Sequence, residues 1–297
     1  MSDHDGPAPV RGVRAWVRRR PVTSFFALAY AFSWSWWWGV AAAGGLVRPG
    51  VAWPTHLPGL LGPALAAVAV TAAVDGRRGV SALLRRVPRL GGARGAALAL
   101  SPLALLAVAV VAARAVDGRW PDWTGLTAIS GLPRDVLPML AGLVLVNGVG
   151  EETGWRGFAQ ERLQDRHGPL RAALLVTAGW CLWHLPLFVI VTSYRGFPPA
   201  AVPGFVLGMA AGAVVLACCY NAAMGGIGAA AVWHAAYNLA SASAMAEGTI
   251  AAVTTALVMV WAAVLLALAR RDRRRGRPSP LWGGRRPPAA VTTVVSP

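Results

Sequence analysis

Apolar positions in this chain neither alternate nor recur every third or fourth residue; they run on. Eight such runs lie near residues 22–46, 57–74, 95–116, 134–154, 169–192, 200–220, 225–246 and 249–268. About 20 helical residues cross roughly 30 Å of hydrocarbon. Backbone polar groups in lipid must be satisfied within the segment, so runs of this length predict helices. The pattern therefore predicts an all-α, polytopic membrane protein of about eight transmembrane helices. The first run follows "RGVRAWVRRR" and contains "WSWWW". At about 25 residues it exceeds a signal-peptide core of roughly 7–15, so an uncleaved first helix is expected.

Composition agrees: 56% of residues are hydrophobic, 13% are charged and the mean hydropathy is +0.52. All 28 basic residues are Arg, and the net charge is +16. That excess does not point to nucleic acid, because the Arg residues sit in short clusters between apolar runs rather than in one patch with interleaved aromatics. The clusters span 11–20, 77–94, 156–171 and 270–286, all on one side of the eight runs. The opposite connections hold only Arg48, Arg114, Arg119, Arg134 and Arg195. This asymmetry predicts a multi-pass plasma-membrane protein with both termini cytoplasmic, and it predicts contacts with anionic lipid. The chain divides into a basic N-terminal segment (1–21), N-terminal membrane helices (22–132), a polar-bearing core (133–246), a last membrane helix (247–269) and a basic, Pro-containing tail expected to be disordered (270–297). Within the core, "GFAQERLQDRHG" is expected to lie on the cytoplasmic surface, and Gly168-Pro169 to start the next helix. Cys181, Cys218 and Cys219 fall inside apolar runs and are expected to be reduced thiols.

An ionisable side chain inside a spanning helix costs about 2.5–3.5 kcal/mol on insertion scales, so one that stays there needs a partner or a task. Glu151, Glu152 and Arg156 close the fourth run, His184 lies in the fifth, and His234 and Asn238 lie in the seventh. Glu152 and Arg156 are four residues apart with the acid first, the favourable order for a same-face ion pair. Glu151 lies about 100° around the axis and faces another neighbour. Pro186 removes a backbone hydrogen bond just after His184 and is expected to bend the helix there. His234 and Asn238, at i and i+4, project from one face, and the preceding "GGIGAAA" lets a neighbouring backbone approach. An acid pair, a His and a His/Asn pair on three helices form a set that can activate water and polarise a carbonyl.

In these residues the sequence resembles the CAAX protease and bacteriocin-processing (CPBP, type II CAAX or Abi) family of intramembrane proteases. The resemblance rests on Glu-Glu-x-x-x-Arg at Glu151, Glu152 and Arg156, aromatic-x-x-x-His at Trp180 and His184, and His-x-x-x-Asn at His234 and Asn238. It covers about residues 133–240. The second motif usually begins with Phe, and the Trp180 replacement is expected to affect packing more than chemistry. The resemblance implies hydrolysis of a peptide bond in a peptide or membrane-anchored substrate, with Glu151, Glu152, Arg156, His184, His234 and Asn238 in the site. Two mechanisms stay open: a divalent metal such as zinc, with Glu151, His184 and His234 as candidate ligands, or a Glu-activated water without metal. The His-Glu-x-x-His helix of many zinc proteases is absent. Two alternatives to the protease remain. One is a transporter using these groups as a proton relay; the other is a non-catalytic immunity or scaffold protein on the same fold. Neither substrate identity nor oligomeric state is written in the sequence.

Overall fold

The computed structural model describes residues 12–281; the N-terminal residues 1–11 and most of the predicted tail (282–297) lie outside that range. Among the described residues there is no strand, only three isolated bridges, Val47 with Val191, Pro49 with Ser130 and Ile129 with Ser243. Everything else of size is helix. We label these helices α1 (Val13–Arg19), α2 (Pro21–Ala42), α3 (Gly62–Leu84), α4 (Gly92–Asp117), α5 (Val136–His167), α6 (Pro169–Trp183), α7 (Val202–Ala222), α8 (Ile227–Ala242) and α9 (Thr249–Arg274).

Among the described residues, six helical segments are long and apolar enough to span a membrane: Leu57–Leu84, Gly92–Asp117, Val136–His167, Pro169–Ile190, Pro199–Ala222 and Thr249–Arg274. The two remaining expected spans are helices of a different kind. α8 has only 16 residues. α2 has 22, but four Trp and three Ser dilute its hydropathy. Those polar atoms are used inside the protein, where an indole N–H needs an acceptor. Trp34 donates to the Trp183 carbonyl at 3.0 Å, Trp36 to Thr55 and Trp37 to His56 at 2.9 Å, while Trp183 donates to Ser33 Oγ at 2.7 Å. "WSWWW" thus fastens α2 to the rest of the bundle.

The stretch "GFAQERLQDRHG" does not form a separate helix; it continues α5 without a break to His167. Phe158, Ala159 and Gln160 are buried by neighbouring protein, with Gln160 Nε2 donating to Gln164 Oε1 at 3.0 Å, while Asp165, Arg166 and His167 at the helix end are exposed. Around the acid pair this helix widens into two π-helical stretches, Gly142–Val149 and Trp155–Gln160. Such turns leave backbone groups imperfectly paired and recur at functional sites.

Close approach locks α5 in place. A Cβ at Gly148 would sit 2.4 Å from the Ala231 carbonyl oxygen of α8, and one at Gly154 would sit 2.5 Å from Pro63 at the start of α3. The small-residue segment opening α8 therefore does allow backbone contact, as its composition predicted. α6 ends at Trp183, and a short turn, Leu187–Ile190, follows Pro186. His184 stands at that break.

Candidate active site

Glu151, Glu152, Arg156, His184 and His234 are all buried, and Asn238 is partly buried. The structure sets them in two adjacent hydrogen-bonded networks, one of Glu152 with Arg156 and His234, the other of Glu151 with Asn238 through Asn147 and with His184 through Trp180.

Glu152 and Arg156 form the expected ion pair, Oε1 to Nη1 at 2.9 Å, with both side chains fully shielded. The same Glu152 oxygen lies 2.8 Å from His234 Nδ1. The imidazole is thus held by a carboxylate, which places the Nδ1 proton and leaves Nε2 as its working nitrogen. Sequence spacing showed the first of these contacts and not the second, which joins residues 82 positions apart.

Glu151 does face elsewhere. Its Oε2 accepts from the indole N–H of Trp180 at 2.9 Å and of Trp155 at 3.3 Å, and its Oε1 accepts from Asn147 Nδ2 at 3.3 Å. A carboxylate offers about four lone-pair sites. Three are taken by neutral donors, and the remaining one, on Oε1, suits a water O–H. Asn147 is itself oriented by Asn238, whose Nδ2 donates to Asn147 Oδ1 at 3.0 Å. Asn238 therefore reaches Glu151 through one intermediate amide.

Trp180, expected to affect packing more than chemistry, also donates a hydrogen bond to Glu151. Its ring lies between the two imidazoles, with centroids 5.6 Å from His184 and 5.4 Å from His234, and the Arg156 guanidinium sits 5.0 Å from its centroid. Phe in its place could fill the space but could not donate to Glu151. His184 has its own fixed tautomer. Because α6 ends here, the His184 backbone N–H bonds Cys181, and the Trp180 carbonyl instead meets His184 Nδ1 at 2.8 Å. A carbonyl only accepts, so Nδ1 carries the proton and Nε2 is free to act as a base or acceptor. Asn147 and Trp155 were missed in the sequence although they flank Glu151 at i−4 and i+4, the spacing that identified Arg156. The Trp180 bond crosses 29 positions and had no such signal.

Of the three candidate metal ligands, Glu151 is the one whose carboxylate has three N–H groups turned toward it. The three cysteines are free.

A helical membrane-type fold with a buried carboxylate–imidazole cluster defines the class: a polytopic membrane protein with hydrolase-type side chains at depth. Comparison with known proteins narrows it. Residues 133–240 match the family model described as type II CAAX prenyl endopeptidase Rce1-like. That stretch holds all seven motif residues, so the resemblance carried by the motifs is borne out over this core. A 61-residue segment is 41% identical to CAAX prenyl protease 2 of Methanococcus maripaludis, which covers 20% of this chain and 22% of that protein. The matched segment thus spans about a fifth of the length of that curated relative.

Proposed function

We propose that this chain is an intramembrane endopeptidase in which Glu151 activates water against a peptide bond of a peptide or membrane-anchored substrate. The observation that carries this reading is the Glu151 carboxylate, buried in the bundle, steadied by three N–H donors and left with one lone-pair site free. Neutral donors on both oxygens orient the group without neutralising it, which is what a general base at membrane depth requires.

In this reading the water donates its proton to Glu151 Oε1 while its oxygen adds to the scissile carbonyl carbon. Negative charge then develops on the former carbonyl oxygen. His234, fixed by Glu152, and His184, fixed by the Trp180 carbonyl, are the groups able to stabilise that oxyanion or to relay a proton. As the C–N bond breaks, the proton held by Glu151 passes to the leaving nitrogen, regenerating the carboxylate. Glu152, Arg156, Asn147, Asn238 and Trp180 act by position. No step requires a metal.

The Methanococcus maripaludis relative is named a CAAX prenyl protease. With about a fifth of that protein matched, the substrate proposed here stays at a peptide or membrane-anchored protein. The basic ends of the helices set the proposed orientation, with both termini cytoplasmic in the plasma membrane.

The test is cleavage of a fluorogenic peptide library by purified protein in lipid, with and without a chelator and with Glu151→Gln alongside. Cleavage that survives chelation and disappears in Glu151→Gln is expected. Activity lost on chelation and restored by zinc would overturn the metal-free mechanism. Activity retained by Glu151→Gln would overturn the base assignment.

A further inference from the structure

Away from this cluster, the basic end of the bundle carries a cleft that the hydrolytic chemistry does not use. α3 breaks at Gly76 (φ 67, ψ −164), and its second leg leads to Arg85, Arg86 and Arg89. This elbow, the Glu161–Arg162 stretch of α5 and Met224 in the turn after α7 enclose about 540 Å³.

The charges lining it do not balance. Arg86 is occupied: Nη1 meets Glu161 Oε2 at 2.9 Å and Tyr220 Oη at 2.8 Å, and Nη2 donates to the Gly157 carbonyl at 2.8 Å. Arg162 is occupied too, pairing with Asp75 at 2.6 Å and lying 3.8 Å from the Phe158 ring centroid. Arg85 and Arg89 are exposed and make no ion pair among the described residues. The cleft therefore holds two guanidiniums in excess.

Its lining is apolar in part as well. Met224 is 79% exposed on the cleft, and Ala82 and Leu83 line it beside Arg85. Unpaired guanidiniums beside exposed apolar side chains, at the polar end of membrane helices, match an amphiphile better than a solvated ion. Guanidinium is also the side chain whose planar fork suits phosphate oxygens. We propose that this cleft binds the phosphate group of an anionic membrane lipid through Arg85 and Arg89, with acyl chains running past Met224. The neighbouring Arg86 joins the cleft to α5, so the lipid sits one residue from a side chain bonded to the catalytic helix.

The test is native mass spectrometry of the full chain released from nanodiscs containing phosphatidylglycerol or phosphatidylcholine. Selective retention of phosphatidylglycerol is expected, falling at least fivefold in Arg85→Ala/Arg89→Ala. Arg77→Ala/Arg78→Ala removes the same charge from exposed positions outside the cleft and should retain the lipid. Equal loss in both double variants, or no preference between lipids, would overturn the site. Displacement of the lipid by millimolar inorganic phosphate would assign the cleft to free phosphate and overturn the lipid assignment; resistance to it supports the lipid. Glu151→Gln should retain lipid normally, so the cleft and the protease reading can fail separately.

Discussion

At the residue scale, three hydrogen bonds to one carboxylate do most to distinguish Glu151 from its neighbour. Glu152 is neutralised by Arg156 and spends the same oxygen on His234, whereas Glu151 faces only uncharged donors. Trp180→Phe keeps an aromatic ring but removes a hydrogen bond to a charged group, worth about 1.5–3 kcal/mol. A fall of roughly tenfold or more in kcat with little change in KM is expected; equal activity would return Trp180 to a packing role. Glu152→Ala strands a buried guanidinium and frees His234 together. Losing one partner of such a pair costs about 3–5 kcal/mol. Thermal unfolding of Glu152→Ala, Arg156→Ala and the double variant should therefore show strong coupling. Additive losses would reject the ion-pair role.

At the element scale, α5 is set by what crosses it. Gly148→Ala would push a methyl group against the Ala231 carbonyl, which is backbone and cannot rotate away. Overpacking of this kind costs about 1–3 kcal/mol, read as a lower melting temperature in detergent. Gly39→Ala in α2 meets nothing within 4 Å and should be neutral or slightly stabilising, which makes it the control.

The helices themselves were legible in the sequence, because long apolar runs leave the backbone no other way to satisfy its hydrogen bonds. The ion pair was legible too, since i and i+4 on a helix fixes it. The continuity of α5 through Gln160 was not. Polar residues there suggested departure from the membrane, yet Gln160 and Arg156 are enclosed by other helices rather than by lipid. Hydropathy cannot tell those two surroundings apart. The same limit hid the work of α2, whose indoles are spent on carbonyls contributed by residues up to 149 positions away.

At the scale of the whole molecule, charge and apolar length point the same way. Arg18 reaches the Ala73 carbonyl at 3.2 Å, and Arg86 and Arg162 pair with Glu161 and Asp75, so basic residues of α1, the α3 elbow and α5 gather at one end. Tags on the two termini should both be reached by a membrane-impermeant reagent only after the cytoplasmic face is exposed. One tag labelled from outside intact cells would break the proposed orientation.

The central claim is that Glu151 performs peptide-bond hydrolysis inside the membrane. Its most direct test is mass spectrometry of protein termini in membranes from cells carrying the wild-type chain, a deletion or Glu151→Gln at matched expression. The expected result is a set of cleavage-derived termini present only with the wild type and missing equally in the other two. A Glu151→Gln strain that still produced those termini would contradict it.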